Sequence, residues 1–158
     1  MNKPESLRAH LLATVADFKY DPDRLLIFID NGKVRCTSAP GLSFEYSFDL
    51  QIILTEFAGH PDSVFLPILG WLSVNQPELL ENLDKVMNGI QFEADILDKE
   101  KVDLSLTLPL TERVVVGRDD QGNVTVTHPG EPQRVAGYLD PNWIPGAQGN
   151  TSEWVVPK

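Results

Sequence analysis

The chain has a single cysteine, Cys36, so neither an intrachain disulfide nor a multi-cysteine zinc site can hold it together. Its three histidines, His10, His60 and His128, stand far apart, without the paired spacing of a histidine metal site. No apolar run is long enough to span a bilayer, and no basic segment followed by an apolar stretch opens the chain. Secretion and membrane contact are therefore not expected. GxSxG, P-loop and GxGxxG motifs are missing as well. Basic residues are scarce, with 13 Lys and Arg against 23 Asp and Glu for a formal charge of −10. From Cys36 to Asp84 there is no Lys or Arg, yet that stretch carries Glu45, Asp49, Glu56, Asp62, Glu78, Glu81 and Asp84. Gripping phosphate backbones needs clustered cations, so this region cannot do it.

What is present suits one globular domain: 158 residues, 42% hydrophobic and 23% charged, enough to bury a core by packing alone. Leu7, Leu11, Leu12, Val15 and Phe18 recur at helical spacing, with Pro4 in a first turn and Asn2 and Glu5 placed as a capping box. Leu25 to Ile29 reads as a strand buried on both faces. Asn31-Gly32 then predicts a tight turn, with Lys33 to Thr37 returning as its partner. From Leu42 to Leu54 apolar and polar residues alternate, which predicts a long strand with one buried and one wet face; the phase slips at Glu56-Phe57.

Residues 61–76 are apolar around most of a helical circumference, with Pro67 inside, and are to be covered by the protein's own sheet or by a neighbouring subunit. Pro77 starts one further helical turn. Phe92, Ala94 and Ile96, then Val102 to Leu110, alternate again and predict a second hairpin with Pro109 at an edge or bulge. Val114 to Val116 and Val124 to Val126 predict a third. The fold class is α+β, a mainly antiparallel twisted sheet with one face covered by two helices. A single domain over 1–128 precedes a Pro/Gly-rich extended arm over 129–158.

Two groups of residues are candidates for function, and no cofactor is expected. The wet sheet face presents Glu45, Asp49, Glu93, Asp95 and Asp103, with Lys101 the only basic companion. Paired carboxylates can serve as acid and nucleophile in glycoside hydrolysis, but that needs a pocket that raises one pKa, and a solvated face is the plainer reading. A third reading is a surface that repels a polyanion and lets DNA pass without sticking. The second group is aromatic: Trp71 on the apolar helix, with Tyr138, Trp143 and Trp154 in the arm. Large aromatics in an arm too short for its own core anchor in a partner's groove or fold back on the parent sheet. A monomeric protein-binding module is therefore an alternative to a larger assembly.

Five segments resemble a known family in the same order: Met1-Asn2-Lys3-Pro4-Glu5-Ser6-Leu7-Arg8, Leu42 to Tyr46, Phe65 to Leu72, Gln76 to Asn82, and Leu110 to Val114. Across roughly residues 1 to 118 the chain is similar to the tail completion protein R (GpR) family of contractile-tailed temperate phages. The resemblance implies a virion structural protein, not an enzyme, that completes the tail at its head-proximal end so that it can join a filled head. By analogy with tail terminators it implies a homo-hexameric ring. The implied partners are tail tube, sheath, and neck or head-completion proteins, with DNA only in transit. The implied location is the virion tail, and the host cytoplasm during assembly. The chain after about Asp119 departs from the family core, and no site residues carry over.

Overall fold

A computed structural model describes residues 1–36, 41–87, 89–97 and 101–132. Tyr138, Trp143 and Trp154 lie outside the described residues, as does most of the predicted arm. Helix α1 (Lys3–Thr14) is followed by short 3-10 turns and strand β1 (Leu25–Cys36). Strand β2 (Phe44–Phe57), helix α2 (Asp62–Asn75) and the short helices α3 (Pro77–Glu81) and α4 (Leu83–Val86) come next. Strands β3 (Gln91–Ile96), β4 (Val102–Arg118) and β5 (Val124–Thr127) complete the described chain. The order across the sheet is β1-β2-β4-β3, antiparallel throughout, with β5 paired to the far end of β4.

The period-2 pattern is realised from Phe44 onward, while Leu42, expected on the buried face, precedes β2 and is 74% exposed. Phe48, Leu50, Ile52 and Leu54 are buried beneath the helices, alongside Leu104, Leu106, Leu108 and Leu110 of β4. Leu7 and Leu11 of α1 and Val64, Ile68, Trp71 and Leu72 of α2 close the core from the other side. Each such side chain contributes about 1.5–3 kcal/mol by leaving water, and that burial sets which sheet face the helices cover. The phase slip is a bulge: Glu56 has φ of 49°, and the β2–β4 register shifts between Leu54 and Phe57 so that Phe57 returns to the core.

Four expectations need correction. Asn31-Gly32 makes a bulge, not a hairpin turn. Asp30 pairs with Asp49 and Lys33 with Ser47, so two residues of β1 stand against Phe48, with Asn31 at φ of 53°. A 14-residue β2 offers both halves of β1 a continuous ladder, which outweighs the short hairpin the dipeptide alone would favour. Second, β1 is an edge strand whose outer face is open, so Leu25 is buried while Phe28 is 50% exposed. Third, the chain's own sheet covers α2 on one side only, leaving Leu66, Leu69 and Val74 open to the neighbouring subunit that is the other expected cover.

The fourth concerns the N-terminus of α1, where Asn2 makes no side-chain cap. The Glu112 carboxylate of β4 accepts the Asn2 N–H at 2.7 and 2.9 Å and the Lys3 N–H at 3.0 Å. It supplies both hydrogen bonds and negative charge to the positive end of the helix. Pro109 sits inside β4, which runs on to Arg118. The β3 ladder stops at Thr107, so the N–H that Pro109 lacks faces a side with no strand to bond. The β4–β5 turn is held by Asp119, which accepts from the Asn123 side chain at 2.8 Å and from the Asn123 and Gln121 N–H groups. Those donors, the Asn123 side chain foremost, hold its carboxyl below the usual range.

Candidate interaction surfaces

Alternation places Glu45, Asp49 and Asp103 on the outer face of the sheet, away from the helices, and the pairing of β3 adds Glu93 and Asp95. They do not converge. Glu45 stands opposite Arg113 of β4 and Arg35 of β1, with Arg35 Nη2 2.9 Å from Glu45 Oε1. Asp49 accepts from Asn31 Nδ2 at 2.8 Å. At the other end Asp95 lies opposite Asp103, whose Oδ1 accepts the Glu56 N–H at 2.7 Å. Lys101 is not the only cation near this face, because Arg35 and Arg113 neutralise the Glu45 end; Lys101 itself pairs with Glu56 at 3.1 Å. The face is therefore charge-balanced at one end and acidic at the other. Among the described residues no group of three or more His, Cys, Asp or Glu is placed to hold a metal ion.

A cleft of about 390 Å³ lies between strands β1, β2 and β4 and the α3–α4 segment, with Ser47, Asp49, Thr111, Glu78 and Lys85 among its walls. Lys85 Nζ lies 2.8 Å from Glu78 Oε1 and holds that carboxyl below the usual range against partial burial. Behind the cleft, Gln76 is buried with all its hydrogen-bonding capacity used. Its oxygen accepts from Lys3 Nζ at 2.8 Å and Thr111 N–H at 3.2 Å; its amide donates to Glu78 and the Thr111 hydroxyl, each at 3.0 Å. Lys3 also bonds Glu131 at 2.7 Å, and His128 Nδ1 lies 2.7 Å from Glu112. Burial opposes ionisation of Glu112, but the Lys3 and Asn2 N–H groups and His128 together hold its carboxyl below the usual range. That is the direction of a structural anion. A general acid needs the opposite shift.

Besides the short β5, which pairs only with β4, the sheet has two edges without a partner strand among the described residues, β1 and β3. Both carry apolar side chains in the open. Phe92 is 60% and Ile96 82% exposed on β3, and Phe92 meets Phe65 of α2 edge-on, with ring centroids 5.3 Å apart. Leu26, Phe28, Ile29 and Val34 are exposed on β1. An apolar edge of this kind is a template for pairing with another chain.

Comparison with known proteins bears on what this surface serves. The P2 phage tail completion protein R (GpR) family profile matches residues 1–132. The chain belongs to the GpR family. It is 40% identical over 136 residues to tail completion protein R of Escherichia phage P2, covering 84% of this chain and 88% of that relative. No solved structure matches. The GpR match runs past Arg118 to residue 132, so it takes in the β4–β5 hairpin and Glu131 as well as the helices and sheet.

Within this GpR fold the aromatic candidates separate. Trp71 is buried between α2 and α1, where its Nε1–H donates to Ser6 Oγ at 3.1 Å, so it packs the core and offers no open face. Tyr138, Trp143 and Trp154 lie outside the described residues. On the strands, the exposed aromatics that sequence reasoning missed are Phe28 and Phe92. Their signal was present as apolar residues on short strands, but alternation cannot tell a strand beneath a helix from one at the sheet's rim.

Proposed function

We propose that this chain completes the contractile tail of its phage, closing the head-proximal end as a ring of identical subunits so that the tail joins a filled head. The observation that carries the reading is the family match, which spans α1 through Glu131, together with 40% identity to a tail completion protein over most of both chains. Two exposed sheet edges and an open apolar flank on α2 support a subunit that buries surface against neighbours. Its neighbours in the particle are the tail tube, the sheath and the neck proteins. A hexamer is the ring size this reading adopts.

In that ring the outer sheet face lines the lumen. Asp49 and Asp103 keep that face acidic and repel passing DNA, while Glu45 is neutralised by Arg35. The experiment is a phage lacking this gene. Filled heads and separate tails should accumulate, and adding the purified protein to that lysate should restore infectious particles. Normal joined particles made without the protein would overturn the reading.

A further inference from the structure

The two open edges of the sheet match each other. We propose that β3 of one copy adds antiparallel to the second half of β1 of the next copy, so that subunits join head to tail through one continuous sheet. The proposal deepens the ring reading above and rests on it.

Backbone phase gives the first argument. The Leu97 N–H donates to the Lys101 carbonyl at 3.1 Å, so odd-numbered residues of β3 turn their backbone groups toward β4. Phe92, Ala94 and Ile96 therefore turn theirs to the open side. In β4 the Thr111 N–H also points to the β3 side, where Gln76 meets it. Even-numbered residues of β4 thus bond β2, and by the same alternation odd-numbered residues of β2 bond β1. Lys33 and Arg35, opposite Ser47 and Glu45, face inward, and Val34 faces the open side. Setting Val34 opposite Ala94 brings open donors to open acceptors.

Charge gives the second. With Val34 opposite Ala94, antiparallel counting places Lys33 opposite Asp95 and Arg35 opposite Glu93. All four lie on the outer face, so cations meet anions in two cross-strand pairs. A slip of two residues loses one of the pairs, and a slip of one sets charged side chains among apolar ones. On the inner face, Val34, which is 63% exposed, and Phe92 are covered by the same contact. The first half of β1 fits worse, because Asp30 would confront Glu93 and Asp95 as a like charge.

Direction gives the third. β1 and β3 run oppositely within one subunit, since each neighbour in the β1-β2-β4-β3 order is antiparallel. Rotation about an axis along the strands then presents β3 antiparallel to the next β1. The contact is heterologous, the kind that generates a closed ring when the rotation closes.

The test uses the full-length chain and its mass in solution and on tails. Lys33→Glu with Arg35→Glu, or Glu93→Lys with Asp95→Lys, should each weaken self-association about tenfold or more, and the fourfold variant should restore it. Independently, Val34→Cys with Ala94→Cys in a Cys36→Ser background should give a non-reducing ladder ending at the ring's subunit number. Each single cysteine should give none, because a hydrogen-bonded antiparallel pair has Cα atoms about 5.5 Å apart, within disulfide reach. Assemblies of normal mass that neither cross-link nor respond to charge reversal overturn the edge pairing and leave the ring standing. A chain that completes tails as a monomer overturns both.

Discussion

Gln76 and Thr111 are joined by two hydrogen bonds running in opposite directions: the Gln76 oxygen accepts the Thr111 N–H at 3.2 Å, and the Gln76 amide donates to the Thr111 hydroxyl at 3.0 Å. At the end of α2 this one side chain takes the place of the strand that β3 is too short to supply. Gln76→Ala removes it and leaves the partly buried Thr111 N–H and the Lys3 ammonium each short of an acceptor. The expected loss is about 2–3 kcal/mol of unfolding free energy, read from the urea midpoint with an unchanged slope. A shift under about 0.5 kcal/mol would show that the pair is not structural.

Glu112 should impose a pH dependence of known sign. Its folded pKa lies below its unfolded value, so its contribution is full above the ordinary carboxylate range, about 4.3, and is lost as pH falls through the folded value. Glu112→Gln should therefore cost about 2 kcal/mol at pH 7, and the gap to the parent should close toward pH 3. Urea titrations at pH 7, 5 and 3 measure it. A gap independent of pH would contradict the assignment.

The β1 bulge depends on a left-handed residue. Asn31 at φ of 53° tolerates that conformation, and a β-branched residue does not. Asn31→Val should destabilise the fold by about 1–2 kcal/mol, while Asn31→Gly should be close to neutral. Thermal melts of both variants separate backbone strain from loss of the Asp49 hydrogen bond, which each removes equally.

Leu106 and Phe92 are cross-strand partners with opposite fates, one fully buried and the other largely open. Leu106→Ala should cost about 2–5 kcal/mol of stability through the cavity it leaves. Phe92→Ala should cost about 1 kcal/mol or less in the isolated chain, chiefly through its Phe65 contact. Equal losses at the two sites would mean that β3 is covered in the isolated chain.

Local pattern made β2 and β4 legible, because every second residue had to be apolar to sit beneath a helix. It failed where one local signal serves two structures. Asn31-Gly32 supplies positive φ to a turn or to a bulge, and only the length of β2 decides between them. It failed again where the partner is remote: the capping box pointed to Asn2 and Glu5, whereas the cap is Glu112. For the same reason the Glu45 surface showed Lys101 as its only cation in the sequence, since Arg35 and Arg113 join it only through strand pairing. Phe92 and Ile96 were assigned to a buried face correctly in side but not in cover.

The hydrogen bond between Asn2 and Glu112 spans 110 residues, so the first helix made is finished by one of the last strands. At about 5–20 residues per second a ribosome needs roughly 5–20 seconds to travel between them. Until then β2 lacks its β4 neighbour, and α1 has neither its cap nor half of the floor on which it packs. The nascent chain therefore stays open along one side through most of its synthesis, and closes only when β4 emerges.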